Sequence, residues 1–421
     1  MRHVVCAGLL CLMAGTAAAA DYRANAEDYR DYLHRLQPGD RLQLAPGDYR
    51  QGLLLSNLSG RAGQPIVIEA ANPAVPPRFI ARPGVNTVSL VDVRYVSVRN
   101  LELDGRNLPV DAVKAEGHSH YADFITLDHL TIHDYAASQQ NVGISTKCPA
   151  FGWVVKGNRI ERVGTGMYFG NSDGTDPFVN GLIEANQVTE TLGYNLQIKH
   201  QINRSTDQPE LGRQHETVIR DNIFSKENAV VSDAARPNVL VGHWPLEGVG
   251  RNDRYFIHSN LFWQNPGEAL FQGEGNIMLC NNVLANSNGS AIRIQPHNDV
   301  PRNVDVQFNT VWARDAGIAI RNKLLSGPWR QRVSGNLVFA GQPLSGGIQT
   351  DNLALKYGDA ERYLKNPSTD LANADFSLKR NRQNGVSDCS VLRSQRTMPY
   401  PLGAGRLPGV ANGLTLPPPL K

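Results

Sequence analysis

Leu182-Ile-Glu-Ala-Asn186-Gln-Val188, Val218-Ile-Arg-Asp-Asn222-Ile-Phe224 and Phe256-Ile-His-Ser-Asn260-Leu-Phe262 are one phrase written three times: apolar alternation, an asparagine, more alternation. The phrase recurs downstream at Met278 to Leu284, Val306 to Val311 and Val333 to Val338, marked by Asn282, Asn309 and Asn336. Upstream it is found at Val96 to Leu103 (Asn100) and Trp153 to Ile160 (Asn158), and at Ile125 to Ile132 with His129 in the asparagine's place. The marks fall 29, 29, 28, 36, 38, 22, 27 and 27 residues apart. Each unit carries a second alternating segment, such as Ala291-Ile-Arg-Ile294 or Gly317-Ile-Ala-Ile320. Alternation with period two means strands, and asparagine tolerates the left-handed backbone of a tight bend between them.

A unit of ~22–30 residues with two or three short strands cannot bury its apolar face alone, whereas stacked units can, each bonded to the next at ~4.8 Å. The pattern therefore predicts an all-β chain, a right-handed parallel β-helix with the asparagines stacked as an internal ladder. Helical solenoids lack support because the units show no 3.6-residue period, and a propeller blade needs ~40–45 residues. Residues 21–60 read as an N-terminal cap and first strands, with Tyr29, Tyr32, Leu33 and Leu36 on one face of a short capping helix between Ala26 and Leu36. Residues 61–352 read as the β-helix. Residues 353–421 lose the period and, with Pro399, Pro401, Pro408 and Pro417 to Pro419, read as an irregular wrap or tail.

The 421-residue chain has a net charge of only +3, which excludes a nucleic-acid binder working by bulk charge. Met1 to Ala20 has a basic start, an apolar run from Val4 to Met13 and Ala18-Ala19-Ala20 before Asp21, the pattern of a cleaved signal peptide. A periplasmic or secreted protein is expected, monomeric and without an integral membrane segment. Beyond that peptide three cysteines remain, Cys148, Cys280 and Cys389. They allow one disulfide, with at least two buried thiols the expectation.

Aligning the second segments puts Lys147, Tyr168, Gln197, Lys199, Phe271, Arg293 and Arg321 outward, with His200 and His297 just past strand ends. One face would then carry cations and rings in a line. This suits an extended anionic polysaccharide, whose carboxylates pair with cations while its sugars stack on rings. Asp173, Asp176 and Glu184 could hold calcium through hard oxygen ligands, although no continuous calcium loop is present.

The opening Leu36-Gln-Pro-Gly-Asp-Arg-Leu-Gln-Leu-Ala-Pro-Gly-Asp-Tyr49, with Gln64-Pro-Ile-Val-Ile68 and the Val-Arg-Asn-Leu-Glu-Leu-Asp-Gly run ending at Gly105, resembles secreted β-helix polysaccharide lyases of the alginate lyase and chondroitinase B family. The resemblance implies β-elimination at a uronic acid, with a lysine base, an arginine at the leaving oxygen and calcium on the carboxylate. Gly193-Tyr-Asn-Leu-Gln-Ile-Lys199-His200-Gln201 resembles the segment bearing the base, which assigns that role to Lys199 and places Asn195 among the binding residues. The family's Arg-His-Gly triplet is missing, so Arg236 or Arg220 would substitute. A lysine base needs its pKa lowered, and Arg236 and His200 are the expected cause. A non-catalytic glycan-binding scaffold is the alternative from another class. Epimerase and hydrolase readings are weaker: Gln295-Pro-His-Asn298 keeps half of an epimerase motif, and Asn171-Ser-Asp173-Gly-Thr-Asp176 lacks the partner motifs of a polygalacturonase.

Overall fold

The computed structural model describes residues 19–379 except 203, 205–210, 230–234 and 323–328. The segment read as a signal peptide, Cys389 and the proline-rich tail lie outside the described residues. Parallel strands build the expected β-helix. Sheet I has 13 strands, from Asp21–Ala24 to Ile348–Thr350. Sheets II and III form the next two walls and join into one 21-stranded sheet, because the long strand Thr310–Ile320 turns the corner between them. The pairings across rungs of these walls are parallel, as in Leu182–Glu184 beside Val218 to Arg220, with a register shift between Ala313 and Ala316 where Thr310–Ile320 pairs with Leu337–Ser345. Among the described residues no helix is long and apolar enough to cross a membrane.

The corner between sheets I and II holds the ladder. Asn186 donates its main-chain N–H and its Nδ2 to Asn222 Oδ1, both at 2.9 Å, and Asn222 repeats this toward Asn260 at 3.0 and 2.9 Å. The pattern runs from Asn158 through Asn282, Asn309 and Asn336 to Asn352. Each Nδ2 also donates to a main-chain carbonyl below, as Asn222 does to Ile183 at 2.9 Å. The bend itself differs from the expectation. The left-handed residue is the one before the ladder asparagine, such as Ala185 (φ 54°), Asp221 (φ 58°) or Ser259 (φ 57°). Asn100 and His129 occupy that bend position, at φ 54° and 53°, and lie outside the ladder. Leu101 and Leu130 fill the inward site above, and Leu130 N–H donates to Asn158 Oδ1 at 2.8 Å, where the polar ladder begins.

The ends are more ordered than the sequence suggested. The capping helix is one turn, Arg30–Leu33; of the four residues expected on its inner face Tyr29, Leu33 and Leu36 are buried and Tyr32 is half-buried, and Tyr29 OH donates to Gly52 O at 2.5 Å. Past Asn352 the chain is not irregular throughout. Ala360–Tyr363 is helical, and Leu364–Asn366 pairs antiparallel with Asp375–Leu378. This segment packs on the outer face of sheet II, where Trp312 stacks on Tyr357 at 4.9 Å and Phe376 meets Trp263 edge-on at 6.1 Å. Large apolar residues on that face, where strict alternation would leave polar ones for solvent, are the signal for the wrap. Cys148 is a buried thiol, whereas Cys280 is disulfide-bonded.

Asn222→Leu strips the Asn186 N–H of its acceptor and the Ile183 carbonyl of a donor in a dry corner. At ~1–3 kcal/mol per orphaned group, denaturant unfolding should show a loss of about 2–5 kcal/mol. Asn100→Gly, at a part-exposed bend, should stay within about 0.5 kcal/mol.

Candidate active site

Sheet III carries the site. Its inward column runs Val113, Ile144, Met167, Leu196, Val239, Phe271, Ile292, and its outward column Lys114, Ser145, Tyr168, Gln197, Leu240, Gln272, Arg293. Two expectations fail here. Phe271 belongs to the inward column and is fully buried, and Asn195 is buried just before its strand, with Nδ2 donating to Val188 O, Thr191 Oγ1 and Ser225 O. Neither can face a ligand.

A cleft of about 510 Å³ crosses the rungs from Asn86 and Pro109 to Lys199 and Arg236. Tyr168 and Gln197 form its floor. One bank is the edge just past the strands, where Lys147, Gly170 and Lys199 stand at one level on successive rungs. The other bank comes from the turns before the strands, with Asp111, Gln139, Asn141, Tyr194 and Arg236. Of the expected residues, Lys147, Tyr168, Gln197, Lys199 and Arg236 meet in this one cleft. Arg293 lies two rungs beyond its wall, with Nη1 donating to Glu268 Oε1 at 2.9 Å. Arg321 continues the Lys199 edge but four rungs away, about 19 Å at ~4.8 Å per rung, and His297 is exposed beyond the cleft. The long trough therefore shortens to one compact site. Its unforeseen members, Tyr194, Gln139, Lys114 and Asp111, sit mostly in turns, where alternation carries no signal.

Lys147 Nζ lies 3.5 Å from the centre of the Tyr168 ring. Burial lowers the Lys147 pKa to about 8; Asp111 opposes this, while Lys114 and Lys199 add to it. The ring face returns ~0.5–2 kcal/mol to the ammonium, so the amine is held between opposed demands. Lys199 is lowered as well, by burial, with the charge of Glu274 opposing it. The cause is desolvation rather than the expected Arg236 and His200. His200 turns away from the cleft against Gly174 and is itself lowered by burial, then by His243 and Lys199. Burial raises both phenols, Tyr168 and Tyr194, so they stay protonated; Tyr168 OH lies 3.2 Å from Ser172 Oγ.

The expected calcium ligands do not converge. Glu184 is on sheet I, paired with Arg220, while Asp173 and Asp176 are in the loop after Thr165–Phe169 on sheet III. Asp173 Oδ1 already accepts from Thr175 N and Oγ1 at 3.0 and 2.7 Å. Asp104, His133 and Asp134 do cluster, on the outer face of sheet II, but they are paired there. His133 bridges Asp134 (2.7 Å) and Glu102 (3.2 Å), and Asp134 accepts from Arg162 Nε at 2.7 Å.

No family model matches the chain, and no curated protein matches it. Solved structures do. Pectate lyase Pel9A is similar at 14% identity over 93% of this chain and 96% of that one, with a TM-score of 0.51. An alginate lyase from Paenibacillus sp. str. FPU-7 is similar at 15% identity over 80% and 99%, TM-score 0.43. A GH136 lacto-N-biosidase from Eubacterium ramulus is similar at 15% over 80% and 68%, TM-score 0.45. At such identity it is the architecture that the Pel9A likeness establishes.

The His133 network titrates. Burial pulls its pKa down, but hydrogen bonds to Glu102 and Asp134 win and raise it. A raised folded pKa means stability that is complete below the unfolded value of ~6.5 and lost as pH climbs through the folded value. His133→Gln should flatten that fall in a series of melting curves between acid and mildly alkaline pH.

Proposed function

We propose that the chain is an exported enzyme that cleaves a uronic-acid-containing polysaccharide by β-elimination in the cleft between Lys147–Lys199 and Tyr194–Arg236. One observation supports this above the rest: a basic cleft holding a lysine whose pKa burial brings to about 8. A general base works best with a pKa near the working pH, and an amine at its ordinary value would be almost wholly protonated.

The roles follow from charge. The Arg236 guanidinium together with Lys199 neutralises the uronate carboxylate, which acidifies the C5–H beside it. These cations supply the neutralisation that calcium would provide, and no step here uses a metal. Sequence resemblance put the base at Lys199; of the two lysines on this bank, Lys147 has the more depressed pKa and takes the role. Its free amine accepts the C5 proton, the electron pair forms the C4=C5 bond, and the C4–O bond breaks. The leaving oxygen takes a proton from the Tyr168 phenol, which burial keeps protonated. Solvent returns the proton from the Lys147 ammonium to the phenolate, and no net charge is left on the protein.

The test is a panel of alginate, pectate, glycosaminoglycans and bacterial exopolysaccharides, read by the ultraviolet absorbance of the unsaturated product. Turnover should fall at least about 100-fold in Lys147→Ala, within the range a general base contributes. Because the base acts as free amine, kcat/KM should rise with pH and level off above about 8. Glycan binding without absorbance change, unaffected by Lys147→Ala, would instead identify a non-catalytic binding protein. Neither binding nor turnover would end both readings.

A further inference from the structure

Lys226 follows the sheet II strand Ile223–Ser225 and is 3% exposed, behind the bank that carries Arg236. Its Nζ donates to the Arg236 main-chain carbonyl at 3.0 Å. Among the described residues no carboxylate forms an ion pair with it. An ammonium buried on those terms is costly, and a methionine of similar length would fill the space without that cost. The carbonyl does not require the lysine either, because Asn265 Nδ2 already donates to it at 2.8 Å. The fold therefore gains little from the charge.

What the charge can act on is Arg236. The geometry points to Lys226 as the positioning residue of Arg236: it ties down the main chain of that residue and, by like-charge repulsion, drives the guanidinium out into the cleft to meet an anionic ligand. The inference rests on the reading of the cleft as an anion site. The groups facing Lys226 are few. Arg236 disfavours its charged form, Glu268 favours it, and burial outweighs both, leaving its pKa at about 8. Glu268 is itself occupied by Arg293 Nη1 and by the Ala269 N–H. Glu227, the next residue, accepts from Trp263 Nε1 at 3.1 Å. The Arg236 guanidinium donates from Nη1 to the Ala235 carbonyl at 2.9 Å, and a hydrogen bond joins it to the Tyr194 phenol on the same bank of the cleft.

The experiment uses the full chain with Lys226→Met and Lys226→Arg, titrated calorimetrically with inorganic sulfate and with a galacturonate tetrasaccharide, alongside thermal unfolding at pH 7. Lys226→Met should melt a few degrees higher, since a buried charge has gone, yet bind about tenfold more weakly. Lys226→Arg should keep most of the affinity. In the wild type, affinity should weaken as pH rises through about 8, where Lys147 in the cleft and Lys226 behind it both lose their protons, and Lys226→Met should keep the Lys147 contribution but show a smaller fall than the wild type. A Met variant that binds as the wild type does, or one with lower melting and unchanged affinity, overturns the inference and leaves Lys226 structural. If sulfate binds with the expected Lys226 dependence and the tetrasaccharide does not, the inference stands and the polysaccharide reading fails. If the wild type binds neither, the anion site falls and the inference with it.

Discussion

From Asn158 to Asn352 each rung of this solenoid turns its sheet I to sheet II corner over an asparagine amide, and that stretch of the architecture depends on each amide finding its neighbour. A corner where the chain reverses between sheets leaves main-chain N–H and C=O groups without strand partners, in a place too dry for water. The asparagine side chain supplies both a donor and an acceptor at the rung spacing, so each level satisfies the one beside it. Once the corners are locked, register along all three walls is fixed, and side chains from rungs far apart in sequence fall into columns.

The cleft follows from those columns. Lys147 and Lys199 stand on the same edge because they occupy the same place in their rungs, with Gly170 between them. That glycine has φ 87°, and a side chain on it would press against Lys199 Cβ at 3.3 Å. The two amines are thus spaced by a rung that carries nothing, close enough to share a ligand and far enough apart to avoid excluding each other. Burial lowers both, and their nearest charges differ, Asp111 and Lys114 for one and Glu274 for the other. Identical side chains two rungs apart therefore meet different electrostatics.

Much of this was readable from residues alone, for a physical reason. Within the ladder an asparagine must recur at each successive rung, so Asn158 to Asn336 announced themselves. Asn100 and His129 deceived because the bend position tolerates the same residue types one place earlier, and only the backbone distinguishes them. Phe271 was misplaced because Ala269-Leu270-Phe271 is apolar without alternation, and a slip of one residue exchanges the two faces of a strand. Lys147, Tyr168 and Lys199 follow clean alternation and were placed correctly. Tyr194 and Arg236 approach from turns, where no period exists; Arg236 entered as a residue past a strand end and through the resemblance to lyases, and Tyr194 not at all. The wrap from Leu353 was hidden for another reason: its apolar partners, Trp263 and Trp312, lie on a face that alternation reserves for solvent.

The unequal rungs have a consequence of their own. The amide column passes unbroken through the two longest intervals, 36 and 38 residues, the second of which takes up part of its extra length in the segment 242–253, away from the sheet I to sheet II corner. Backbone order and surface variety are thereby decoupled. Such a scaffold can lengthen, shorten or exchange the segments that join its strands and still fold, so a lineage can try new surfaces without first solving the folding problem again.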